Sequence, residues 1–105
     1  MTLQVSAAAA AHFLEAVADY LRGCGFQQVS VEFPGIVAVW AEDLIDHPDY
    51  AWWFGTNNAT WMGDLNTGTG DYVGETLVTD VDSTEPDPLV VGRAIEQVLK
   101  SKGAA

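Results

Sequence analysis

The stretch YAWWFGTNNATWMGDL, residues 50–65, decides the fold of this chain. Two runs, Tyr50–Thr56 and Ala59–Leu65, flank Asn57-Asn58. Asparagine tolerates the positive φ angles of a two-residue hairpin turn. Such a turn predicts Thr56 opposite Ala59, Phe54 opposite Trp61, Trp52 opposite Gly63 and Tyr50 opposite Leu65. Those residues make one aromatic face, with the Trp52 ring over the bare backbone of Gly63. The other face pairs Trp53 with Met62 and Ala51 with Asp64. Side chains alternate across a strand, so one face is expected against helices and the other partly wet.

Working outward, Val29, Val31 and Phe33 alternate with Gln28, Ser30 and Glu32, the pattern of a half-buried strand. Pro34-Gly35 turns the chain into Ile36–Glu42, apolar on both faces and so an interior strand. The segment Asp43–Asp49 (DLIDHPD) reads as a loop. On the other side, Asn66–Gly74 (NTGTGDYVG) reads as a flexible connection and Thr76–Val81 as a fifth strand. Phe13, Leu14, Val17, Tyr20, Leu21 and Cys24 recur at helical spacing, predicting a first helix over residues 6–23. Ser6 is its candidate N-cap, and Gly23 or Gly25 its stop. Asp87 followed by Pro88 opens a last helix whose inner stripe is Val91, Ala94, Ile95 and Val98. The order α-β-β-β-β-β-α with short connections implies an antiparallel five-stranded meander. With both terminal helices on one face, this is an α+β two-layer sandwich in a single domain, residues 1–105.

Charge is distributed unevenly along this order. The chain has 105 residues and a formal net charge of −11. Between Gly23 and Gly92 there is no lysine or arginine, against twelve acids. So one-sided a field repels nucleic acid and membrane surfaces and attracts basic partners. Acidity of this kind also arises through solvation alone, as in halophilic proteins. No apolar run approaches the ~18 residues of a membrane span, and the first base is Arg22. The lone Cys24 fits a reducing compartment. A cytoplasmic location is the expectation.

No constellation has the specificity of a catalytic signature. Asp43, Asp46, His47 and Asp49 offer hard ligands and an imidazole, but the pattern also fits a solvated acidic loop. Asp64, Asn66 and Glu75 fall at the first, third and twelfth places of a calcium-loop window, which then fails at Gly68 and Thr69. Gly68-Thr69-Gly70 lacks the lysine of a phosphate loop, and Asp71 and Glu75 would repel phosphate. Cys24 lies on an apolar helix stripe, as buried cysteines do. Trp40, Trp52, Trp53 and Trp61 read mainly as core, with Trp53 the best candidate for exposure. No enzyme, metal or cofactor is expected.

Residues 53–64, WFGTNNATWMGD, resemble a stretch in small, acidic, uncharacterised proteins of actinobacteria and their phages. The resemblance carries no functional residue; it implies a cytoplasmic origin in a GC-rich host or a virus infecting one. The expected function is a non-enzymatic interaction protein, in the manner of a nucleic-acid mimic that inhibits a basic nucleic-acid-binding protein. Its expected partner-binding residues are Glu42, Asp43, Asp46, Asp49, Trp53, Met62, Asp64, Asp71, Asp80 and Asp82. A homodimer through the Trp53/Met62 face is a further expectation. The alternative is a small-ligand binder with an aromatic pocket between sheet and helices.

Overall fold

The computed structural model of this chain describes residues 7–32, 35–40, 49–56 and 59–103. The elements are α1 (Ala7–Gly23), β1 (Gln28–Glu32), β2 (Ile36–Trp40), β3 (Tyr50–Thr56), β4 (Thr60–Thr67), β5 (Tyr72–Asp82) and α2 (Pro88–Gly103). The strands form one antiparallel sheet in the order β1-β2-β3-β4-β5. This is the predicted α-β5-α architecture. No helix among the described residues is long and apolar enough to cross a membrane.

The helix ends follow from local chemistry. Past α1, Gly25 adopts φ +104°. Phe26 N–H donates to the Leu21 carbonyl (3.2 Å) and Gly25 N–H to that of Arg22 (3.1 Å). These two bonds satisfy carbonyls that the helix leaves orphaned, and a left-handed glycine permits them. At α2, the Asp87 carboxylate accepts from Leu89 N–H (2.9 Å), and Pro88 takes the first helical position. Ser6 lies outside the described residues.

Both helices cover one face. α1 lies over β1 and β2, and α2 over β5. The space above the central strands is filled by Trp52, Phe54, Trp61 and Leu65, all buried. Phe13 stacks on Trp61 with ring centroids 6.1 Å apart. Val17, Leu21, Val91 and Ile95 are fully buried, as their helical spacing predicts. The helices also lock to each other. A Cβ at Gly92 would meet Tyr20 Cδ2 at 2.7 Å, so glycine lets that ring lie against α2. Tyr20 then donates its hydroxyl to Glu96 Oε1 at 2.6 Å.

The central hairpin differs from the predicted register. Thr56 pairs with Trp61, Phe54 with Gly63, Trp53 with Asp64, Trp52 with Leu65 and Gly55 with Met62. Four residues, 57–60, therefore separate the innermost pair of this ladder, and the whole ladder slips by two. A two-residue slip keeps every side chain on its predicted face, because the side-chain period is two. It changes the neighbours. Phe54, and not Trp52, covers Gly63: a Cβ there would meet Phe54 Cε1 at 2.6 Å. Asp64, and not Met62, faces Trp53. Asn57-Asn58 lies outside the described residues.

The predicted flexible connection over residues 66–74 is also corrected. β4 continues to Thr67 and β5 begins at Tyr72, leaving a tight turn closed by Gly70 N–H to the Thr67 carbonyl (2.9 Å). β5 is bulged, since its residues 72–82 pair with only 60–66 of β4. Gly74, at φ +96°, sits in one bulge.

Candidate functional site

With the helices on one face, no other described element lies over the opposite face, although Ala38, Ala51, Gly55 and Asn66 on it are buried. Registers and alternation place Ile36, Ala38 and Trp40 of β2, and Ala51, Trp53 and Gly55 of β3, on it. Met62, Asp64 and Asn66 of β4 join them, as do Tyr72, Thr76, Val78, Asp80 and Asp82 of β5. Glu32 marks the β1 end. Small residues near the centre are shielded by large neighbours: the Ile36 side chain lies over Gly55, where a Cβ would meet its Cδ1 at 2.9 Å. The far edge of the Trp53 ring reaches Gly70 in the β4–β5 turn. Along the outer strand β5, Tyr72 (57% accessible) and Val78 (60%) are exposed apolar side chains set among exposed Thr76, Asp80 and Asp82.

Asp64 is one of the acids of this face. It is half-buried and stands opposite both Trp53 and Thr76. Thr76 Oγ1 donates to Asp64 Oδ1 at 2.9 Å. Because Thr76 spends its single proton there, Tyr72 must donate its hydroxyl to Thr76 Oγ1, 2.9 Å away. A relay from Tyr72 through Thr76 thus fixes the carboxylate.

The other predicted site residues are divided. Asp71 sits in the β4–β5 turn, where its carboxylate accepts from Thr69 Oγ1 (3.2 Å). Asp49 meets the same end of the sheet, since its carbonyl lies 3.2 Å from where a Gly68 Cβ would stand. Asp82 has a structural task. It accepts from Thr84 Oγ1 (2.6 Å) and Thr84 N–H (2.8 Å), and these bonds hold its carboxyl below the usual range. Asp80 is exposed, and Met62 and Trp53 are half-buried. Glu42, Asp43 and Asp46 lie outside the described residues. Thr76 and Val78 fall in the predicted fifth strand, but their opposition to Asp64 and Met62 depends on a register the strand alone does not carry. Tyr72 falls in the predicted connection, because Gly74 interrupts a run whose β-branched and aromatic content otherwise signals a strand.

The calcium-window acids do not converge, for Glu75 is held by Lys102 Nζ at 2.6 Å while Asp64 is held by Thr76. Among the described residues, no three His, Cys, Asp or Glu side chains gather as metal ligands. Cys24 lies near Tyr20 and Glu96, and burial pushes its thiol pKa up, disfavouring the nucleophilic thiolate. The indole Nε1 atoms of Trp52, Trp53 and Trp61 are buried with no hydrogen-bond partner among the described residues. An unmade bond of this kind costs about 1–3 kcal/mol.

Comparison of the chain with protein-family models, curated proteins and solved structures finds no match.

Proposed function

We propose that this chain is an acidic, non-enzymatic interaction module that docks a basic protein on its open sheet face and adjoining loops. In doing so it competes with nucleic acid for that protein's surface. The observation that carries the reading is the separation of charge between layers. Arg22 is held by Asp19 (2.7 Å), Glu15 (3.6 Å) and the Val29 carbonyl, and Lys100 by Glu96 (2.6 Å). Lys102 reaches Glu75, and Arg93 is exposed on α2. Every base thus belongs to a helix. On the open face Glu32, Asp64, Asp80 and Asp82 make no ion pair with lysine or arginine among the described residues. Unpaired charges around an apolar centre steer a partner of opposite sign, and the apolar centre slows its release.

The corrected register bears on self-association. A second copy on this face would bring Asp64 and Asp80 carboxylates toward their own kind, at a net charge of −11 per chain. A basic occupant is therefore favoured over the homodimer.

The test is binding kinetics against the captured partner at low and high salt. Asp64→Asn with Asp80→Asn should lower the association rate more than it raises the dissociation rate. The partner should be displaced from DNA, while the chain itself binds no DNA. A salt-independent association rate, or an acidic partner, would reject the reading. It would promote the small-ligand alternative, for which the unpaired Nε1 atoms of Trp52 and Trp61 are the supporting observation.

A further inference from the structure

We infer that Trp53, Asp64 and Tyr72 form a receptor for a single arginine side chain of the docked protein. The inference rests on the basic-partner reading and specifies the anchor. Trp53 and Asp64 are directly opposed on β3 and β4. Opposed residues bring Cβ atoms to about 4.5–5.5 Å, so an aromatic ring and a carboxylate stand side by side. The Tyr72–Thr76–Asp64 relay fixes the orientation of that carboxylate. It occupies one acceptor position of Oδ1, and Oδ2 accepts no hydrogen bond among the described residues, while a carboxylate can accept about four bonds.

A fixed carboxylate beside an aromatic ring, on a face that carries no lysine or arginine among the described residues, lacks its complement. Each base of the chain belongs to a helix, and the described ion pairs involve none of the open-face acids. A guanidinium matches what remains: its plane stacks on an indole while its fork of N–H groups meets the carboxylate. An ammonium can use the charge but not the plane. Tyr72, 57% exposed, is placed on the same face to border the incoming side chain.

The experiment is a chemical-shift titration of the full chain at low ionic strength. The probes are acetyl-Gly-Arg-Gly-amide and its lysine and citrulline counterparts. The expected result is saturable binding of the arginine peptide, with shifts centred on the Trp53 indole N–H, Asp64 and Tyr72. The lysine peptide should bind about fivefold more weakly and citrulline not measurably, since stacking and pairing at an exposed site contribute only modest factors. Asp64→Asn, which keeps the Thr76 bond, should abolish the preference, whereas Asp19→Asn on α1 should preserve it. Equal affinity for arginine and lysine, with shifts spread over all acidic loops, overturns the receptor and leaves the basic-partner reading standing. Failure of both cationic peptides to bind overturns the two together.

Discussion

Gly63→Ala tests the packing of the central hairpin at its tightest point. An ideal Cβ at residue 63 lies 2.6 Å from Phe54 Cε1, 2.7 Å from Cζ and 2.8 Å from Cδ1. Three ring atoms inside contact distance cannot be relieved by a rotation about one bond. Phe54 is itself fully buried in the layer that both helices cover, so its ring has no solvent to move into. Overpacking a filled core costs about 1–3 kcal/mol. Replacing glycine in a strand interior returns about 0.5–1 kcal/mol. The net expectation is a loss of about 1–2 kcal/mol, or roughly 4–12 °C in Tm for a domain near 100 residues. Urea unfolding followed by tryptophan fluorescence, with the midpoint compared at constant slope, reads this directly. The double variant Phe54→Leu/Gly63→Ala gives the sharper result. Leucine vacates the space that the new methyl needs, so the pair should be coupled by at least about 0.5 kcal/mol in the relieving direction. A two-residue turn would instead put Trp52 over Gly63, and Phe54→Leu would then give no relief. Strict additivity, or a neutral Gly63→Ala, would refute both the register and the reasoning.

The clasp between the helices predicts two pH limits. The Lys100 bond, with that from Tyr20, holds the Glu96 carboxyl below its ordinary pKa; its stabilisation is complete above that value and lost as pH falls through the lower, folded one. Glu96→Gln should therefore flatten the acid limb of Tm against pH. The hydrogen bond to Glu96 pushes the Tyr20 hydroxyl up to about 12 from 10.0, so its contribution is complete below pH 10 and lost toward pH 12. Tyr20→Phe should remove that alkaline loss. Asp87→Ala deletes the α2 cap and should cost about 1 kcal/mol in urea unfolding, with the fold intact by circular dichroism.

The helices and the identity of the two faces were legible because each rests on a periodicity that local sequence carries. Val17 and Leu21, or Val91 and Ile95, are four apart, and no other element is needed to read that spacing. The hairpin register rests instead on the length of the turn. Asn57-Asn58 matches a two-residue turn, yet the buried fit of Phe54 on Gly63 selects the longer connection. That fit is a contact between strands, invisible to a reading of either strand alone. The same limit hid the Asp64 site. Sequence marked Asp64 as one acid among many, while its opposition to Trp53 and its bond from Thr76 depend on two registers and on a bulged β5.

Acidity that serves only solvation has no reason to distinguish one face of a protein from another. In this chain the acids that flank bases on the helix side are bound to them: Glu15 and Asp19 to Arg22, Glu96 to Lys100, Glu75 to Lys102. Glu85 and Asp87 accept backbone N–H groups at the start of α2, where negative charge suits the helix dipole. These acids have local explanations. Asp64 and Asp80 make no ion pair with lysine or arginine, and they flank Met62, Val78 and Trp53 on the face that α1 and α2 leave uncovered among the described residues. Placing like charges on adjacent strands without a counter-charge opposes folding, and a purely solvating surface would be spread to avoid it. Their arrangement around an apolar centre is what a partner of opposite charge requires, and it gives the solvation reading its own test. High salt should stabilise the isolated chain by screening that repulsion. Asp64→Asn with Asp80→Asn should stabilise it at low salt and leave less for salt to add. If the pair instead lowers stability at every salt concentration, those carboxylates serve the fold, and the case for a basic partner on this face fails with them.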